Sequence, residues 1–187
     1  MTAEELAHRL ADRVGGEVGV SSGGDWARQV VDVPVDGWVR TLEAARGAGL
    51  TFFDWLSAVD ELDEGFRIVA HLWSVPDRFG LLIRTLTPRE SPSVPTATGV
   101  FPGAAWHERE THEMFGVDFP GNDNLGPLLL PPEFEGQPLR KEFVLASRVA
   151  KPWPGAKEPG EGAEGSSKRA PMRPPGVPTA EEWGPRR

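Results

Sequence analysis

The sequence predicts an α+β fold of two layers: a largely antiparallel sheet with helices on one side, followed by an extended, irregular C-terminal segment. Three observations carry that prediction. Residues 2–14 and 37–48 place apolar side chains at helical spacing. Residues 66–75 alternate between two faces, Pro76-Asp77-Arg78-Phe79-Gly80 reads as a hairpin loop, and 81–87 reads as the partner strand, so two strands are joined directly. Beyond Gly116, glycine and proline recur every few residues, a pattern that suits irregular chain.

Taken in order, Thr2 and Glu5 form a capping-box pattern, and Ala3, Leu6, Ala7, Leu10 and Val14 line one side of the first helix. Gly15-Gly16 ends it, and a short strand is expected at 17–20. Valine-rich 28–35 predicts a second strand, and Asp36 is placed to cap the helix over 37–48, where Trp38, Val39, Leu42 and Ala45 share a face. Residues 50–59, dense in Phe and Trp, suit a buried strand. In the hairpin, Phe66, Ile68, Ala70 and Leu72 take one face and Arg67, Val69, His71 and Trp73 the other; 81–87 is the return strand. Residues 88–102 form a proline-rich loop.

The most informative stretch is 106–143. Residues His107 to Glu113 are all polar or charged, so no side of that helix is apolar through the run. Such a helix is either solvated or docked on another polar surface. Gly116 is placed as a left-handed cap. The boundaries that follow are an α+β body at 1–103, the helix and an extended partner-contact segment at 104–148, and a tail at 149–187. The tail holds eight prolines and six glycines within its last 37 residues and carries a charge of about +2, the composition of a segment disordered on its own, with Trp153 and Trp183 as possible anchors.

Composition excludes several classes. The chain of 187 residues has no cysteine, which removes disulfides, thiolate nucleophiles and cysteine ligation of iron–sulfur clusters. A formal charge of -8 disfavours nucleic acid as a partner. No apolar run approaches the roughly 18 residues of a spanning helix, and the N-terminus lacks the basic and apolar regions of a signal peptide. The expected location is therefore the cytoplasm, with any membrane association made through a partner. Phosphate-binding and dinucleotide glycine motifs and the nucleophile elbow are missing from the sequence.

His107-Glu108 and His112 look at first like a zinc motif. The second imidazole would have to sit at position 111, which is Thr111; five residues apart, the two rings point about 140° from each other around a helix. Glu108, Arg109, Glu110 and Glu113 allow three readings: a polar interface, an intrachain salt-bridge scaffold, or a general acid/base pair of a small hydrolase. Arg140 could pair with Glu108 or Glu110 and fold the downstream segment back on the helix.

Trp106, Glu108-Arg109-Glu110, Glu113, Met114-Phe115-Gly116, Phe119-x-Gly121 and Gly136-x-Pro138-Leu139-Arg140-Lys141-Glu142-Phe143 carry a family resemblance in order, spacing and chemistry. The chain resembles the 30 kDa subunit (NuoC type) of the proton-pumping bacterial NADH:quinone oxidoreductases, respiratory complex I. It departs from the family at Asn122-Asp123, where a His-Pro pair is usual, and at Gly126-Pro127, where a basic pair is usual. The resemblance implies a non-catalytic subunit of the peripheral arm, on the cytoplasmic face of the membrane. It would support assembly of the quinone module for electron transfer from NADH to quinone coupled to proton translocation. No cofactor is expected on this chain; FMN, iron–sulfur clusters and quinone would be held by other subunits. The partners implied are the large quinone-module subunit and the iron–sulfur subunits, with contacts expected from Trp106, Glu108, Arg109, Glu110, Glu113, Met114, Phe115, Gly116, Phe119, Gly136, Pro138, Leu139, Arg140, Lys141 and Phe143. The alternatives are the equivalent subunit of a related complex with another electron donor, of the membrane-bound hydrogenase type, and the small metal-dependent hydrolase.

Overall fold

A computed structural model describes residues 2–22 and 24–144. The expected tail, with Trp153 and Trp183, lies outside the described residues, as do the last few positions of the partner-contact segment.

The first helix, α1 (Ala3–Val14), starts on the expected capping box: Thr2 Oγ1 accepts the Glu5 amide at 3.1 Å and the Glu5 carboxylate accepts the Thr2 amide at 2.8 Å. Strand β1 (Glu17–Val20) pairs antiparallel with β2 (Gln29–Asp32). Helix α2 (Trp38–Gly47) follows a 3-10 turn at Val35–Gly37. That turn corrects the expected cap: Asp36 lies inside it, Gly37 takes the N-cap position, and no side chain caps the helix. Strands β3 (Phe52–Asp60), β4 (Phe66–Ser74) and β5 (Phe79–Thr87) form an antiparallel meander. The hairpin is tighter than its sequence suggests: Ser74 pairs with Phe79, and Arg78 takes a positive φ of 58° to close the turn.

The sheet order is β1-β2-β5-β4-β3, with β2 and β5 parallel and every other pair antiparallel. The parallel pair exists because α2 carries the chain from β2 across to the far edge at β3, and the meander then returns β5 beside β2. Phe66, Ile68, Ala70 and Leu72 all face inward and are fully buried, as the alternation requires. They pack in one core with Leu6, Leu10, Trp38 and Leu42 from α1 and α2, and with Met114 and Phe115 from α3 (Ala104–Phe115). Each such aliphatic side chain contributes about 1.5–3 kcal/mol when removed from water. The fold is thus α+β, a largely antiparallel sheet with helices on one side.

Strand β3 stands where a buried strand or strand-like segment is expected at 50–59, but only one of its faces is covered. It is an edge strand in which Leu56, Ala58 and Asp60 are buried, while Phe52, Trp55 and Val59 are exposed. The opposite face of the sheet carries charge. Arg67 binds Glu61 at 2.6 Å and Asp32 at 3.2 Å, and Arg84 binds Asp32 at 2.5 Å. These pairs are half-buried and still meet solvent, so each contributes little.

Candidate functional site: the ribbon clamp

Helix α3 buries Ala104, Glu108, Thr111, Met114 and Phe115, one stripe at steps of four, three, three and one. The helical period is present, but glutamate and threonine occupy its middle. Of the two expected states, solvated or docked on another polar surface, the helix takes the second, and the surface belongs to the chain itself. Glu108 and Thr111 are turned inward, because the segments on either side supply the donors that a buried carboxylate needs.

Glu108 is 0% exposed. Its Oε1 accepts the Ala97 amide at 2.6 Å; its Oε2 accepts the Thr96 hydroxyl at 2.6 Å and Asn122 Nδ2–H at 2.9 Å. One carboxylate therefore ties the loop before the helix to the chain after it. Backbone bonds continue the seam: the Val94 amide donates to the Asp118 carbonyl at 3.0 Å, and the Asp118 amide to that of Pro92 at 2.8 Å. Burying a carboxylate without such donors would be prohibitive. Asn122, one of the departures from the family pattern, has a definite use as one of the three donors.

Arg109 donates from Nε to the Gly126 carbonyl at 2.5 Å and from its guanidinium to the Pro127 carbonyl. Glu113 accepts three successive amides: Leu128 at 3.0 Å, Leu129 at 2.8 Å and Leu130 at 3.0 Å. Partial burial pushes the Glu113 carboxyl upward, but the amides of Leu129, Leu130 and Leu128 outweigh it and hold the group below its ordinary range. Arg109 and Glu113 together pin residues 126–130, which have no regular secondary structure of their own. Extended chain needs partners for its backbone groups, and here helix side chains provide them.

The extended chain from Gly126 to Phe143 is the ribbon, and a second clamp holds its end. Asp60, buried at the end of β3, accepts Arg89 Nη1–H at 2.7 Å, the Lys141 amide at 2.8 Å and the Leu62 amide at 2.9 Å. The Arg89 guanidinium holds its carboxyl down to about 2, against desolvation, with the Lys141 and Leu62 amides assisting. Arg89 also reaches Glu142. Arg140 does not pair with Glu108 or Glu110. It donates to the Phe115 carbonyl at 2.7 Å, because the last carbonyls of α3 lack helical partners and attract a cation. The Arg140 and Arg89 guanidinium carbons lie 5.0 Å and 5.1 Å from the centre of the Phe66 ring.

Two glycines make the turns possible. Gly116 caps α3 at φ 71°, and a Cβ there would meet Arg140 at 2.8 Å and Gln137 at 3.2 Å. Gly136 sits at φ 96°, and a Cβ there would meet the Phe143 ring at 2.8 Å. Phe143 in turn packs on Phe134 with ring centres 5.8 Å apart.

The expected contact residues therefore divide. Glu108, Met114, Phe115 and Phe119 are buried within the chain. Arg109, Glu113, Gly116, Gly136 and Arg140 shape or hold the ribbon. Trp106, Glu110, Leu139 and Lys141 are exposed, and Pro138 and Phe143 are half-buried. Trp106 at 66% and Leu139 at 53%, with Leu129 at 60%, are large apolar groups left in solvent. The spacing of Glu108, Thr111 and Met114 was the one signal in the sequence for an inward-facing polar helix.

His107, Glu108 and His112 do not converge. The His107 ring packs against Phe53, and His112 Nδ1 lies 2.8 Å from the Val117 carbonyl oxygen. Among the described residues no three His, Asp or Glu side chains form a metal-sized cluster. A cavity of about 480 Å³ lies between α1 and α2, lined in part by Leu6, Arg13 and Arg40, and includes none of the ribbon-clamp residues.

Comparison with known proteins gives the family and the fold. Residues 31–149 match the family described as the respiratory-chain NADH dehydrogenase 30 kDa subunit. The C subunit of the NADH-quinone oxidoreductase of Moorella thermoacetica is 38% identical over 115 residues, covering 60% of this chain and 78% of the relative. The C subunit of the Roseiflexus sp. enzyme is 41% identical over 98 residues, 51% of this chain and 56% of the relative. In the C/D subunit of the Pseudomonas fluorescens enzyme, 44% identity over 78 residues covers 42% of this chain and 13% of the relative. The chain thus spans about half or less of the length of the last two relatives. Among solved structures, a trypsin-resistant fragment of Nqo5 superposes with TM-score 0.58 at 24% identity, covering 67% of this chain and all of the fragment, and shows the same fold. A chain of the membrane-bound sulfane sulfur reductase, an archaeal respiratory membrane complex, superposes with TM-score 0.66 at 27% identity, covering 78% of this chain and 88% of that one. The signature residues, the fold they lock and a match that spans most of the described chain lead to one assignment: this chain belongs to the 30 kDa subunit family of the respiratory-chain NADH dehydrogenases.

Proposed function

We propose that the chain is a cofactor-free, non-catalytic subunit of the peripheral arm of a membrane-associated NADH:quinone oxidoreductase. Its work is to present a rigid ribbon to the large subunit of the quinone module and to the neighbouring iron–sulfur subunits. FMN, iron–sulfur clusters and quinone belong to those other chains, the complex couples electron transfer from NADH to quinone to proton translocation, and the peripheral arm lies on the cytoplasmic side of the membrane. The observation that carries this reading is the use of the signature residues. Glu108, Arg109, Glu113 and Arg140 are committed to fixing the chain's own backbone, while Leu129 and Leu139 stand outward on the segment they fix and Trp106 stands outward on α3 itself. Pre-organising an extended segment lowers the ordering cost of binding, and exposed aromatic and aliphatic anchors supply its energy.

The test is native purification of the tagged full chain from membranes, with identification of the co-migrating subunits. NADH-binding and quinone-module subunits should co-migrate with it, and Trp106→Ser with Leu139→Asp should reduce their recovery at least tenfold while the isolated chain melts as before. A wild-type chain that migrates alone would overturn the proposal. The likeness to the sulfane sulfur reductase chain favours a second reading, the equivalent subunit of a complex fed by another electron donor. That reading requires co-migrating subunits without NADH:quinone activity.

A further inference from the structure

The outer edge of β3 is unguarded between its irregularity at Asp54 and the inward-turned Asp60. The strand runs nine residues at the end of the sheet order, so one side of its backbone has no neighbouring strand. In an antiparallel ladder, alternate residues direct both N–H and C=O away from the partner. Among the described residues, no backbone bond joins 52–60 to anything but β4. Natural edges are usually blunted by lysine, proline or inward-turned charge. Trp55-Leu56-Ser57-Ala58-Val59 has none of these, and Phe52, Trp55 and Val59 are large apolar groups exposed beside it. The single irregularity, at Asp54, lies at one end: the register shifts between Phe53 and Trp55, and Asp54 is drawn 2.8 Å from His71 Nδ1.

We infer that this edge receives an extended segment of another protein subunit, added as a sixth strand beside β3. Main-chain bonds to the free edge supply the affinity, and alternate apolar side chains of the incoming strand cover Trp55 and Val59. Charge decides between a foreign strand and a second copy. Asp54 flanks the run at one end and Asp63 and Glu64 flank it at the other, Glu61 being paired with Arg67. Two copies paired antiparallel about Ser57 would set the carboxylates of one end against Asp54 of the partner. Like charges across strands are destabilising. The complementary occupant is an apolar, alternating strand with lysine or arginine at its ends. The ribbon reaches β3 at Asp60, through the Lys141 amide, just beyond the 55–59 run, and the two surfaces are tested separately.

The test is backbone amide hydrogen exchange of the full chain, alone and within the natively purified complex. Alternate amides within 55–59 should exchange at least tenfold more slowly in the complex, whatever happens at 128–139, where the ribbon proposal is read. Ser57→Lys, at an exposed position, should leave the melting of the isolated chain in place yet lower the recovery of companion subunits at least tenfold. Equal exchange at 55–59 in both states would overturn the inference. So would isolated wild-type chain that dimerises and is made monomeric by Ser57→Lys, because the occupant would then be a second copy.

Discussion

Replacing Asp60 with asparagine should release the end of the ribbon. The carboxylate accepts from Arg89 and from the amides of Leu62 and Lys141, so it joins β3, the loop at 89 and the ribbon at one point. In Asp60→Asn the charge is lost and the side-chain NH2 faces an amide or guanidinium donor. Removing one partner of a buried, hydrogen-bonded pair costs about 3–5 kcal/mol. Arg89 keeps Glu142 and is partly open to water, which reduces the expected loss to about 2–3 kcal/mol. For a chain of this size that is a fall in Tm of about 4–12 °C.

The pH dependence follows from the same carboxyl. Its pKa is held near 2 in the folded chain, below the ordinary 3.8, so its contribution is complete above about pH 4. It is lost as pH falls towards 2. Allowing for screening, the contribution is about 1–2 kcal/mol, from roughly 1.4 kcal/mol per pH unit. Urea unfolding from pH 7 to pH 2.5 should therefore show the wild type converging on Asp60→Asn in acid. Trypsin should also cut the variant faster after Arg140 and Lys141 at pH 7. A variant within about 0.5 kcal/mol of wild type at pH 7, with unchanged cleavage, would refute the reasoning; that figure is the ordinary scatter of surface substitutions.

Further substitutions probe the rest of the clamp. Glu108→Ala strands the buried Ala97 amide and removes the acceptor of Thr96 and Asn122, so it should cost about 2–4 kcal/mol in urea unfolding. Gly116→Val places a branched side chain at φ 71° and against Gln137 and Arg140, and should lower stability by about 1–3 kcal/mol. Phe66→Leu keeps an apolar core residue but removes the ring over which Arg89 and Arg140 sit; it should cost about 1–2 kcal/mol and speed tryptic cleavage after Arg140.

The sheet was legible in the sequence where its faces differ. Phe66, Ile68, Ala70 and Leu72 alternate cleanly because helices cover one face only. The capping box at Thr2 and Glu5 was equally legible, since capping is local. Asp36 misled because a 3-10 turn absorbs it and shifts the helix start to Trp38. The strand at 50–59 misled because aromatic density marks a strand without saying how many faces are covered. The polar helix was the larger gap. Burial of Glu108 depends on Ala97, Thr96 and Asn122, donors brought from both sides of the helix, and no local pattern announces them. The partner of Arg140 was likewise fixed by the helix end at Phe115 rather than by the nearest carboxylates.

The central claim is that helix side chains, rather than regular secondary structure, hold the ribbon in place. Amide hydrogen exchange of Leu128, Leu129 and Leu130 in the isolated full chain, compared between wild type and Glu113→Gln, tests it most directly. Protection in the wild type that falls at least tenfold at these three amides in Glu113→Gln, with the sheet amides of β4 and β5 unchanged, is the predicted result. Three amides that exchange like an open peptide in the wild type, or that keep their protection in Glu113→Gln, would contradict it.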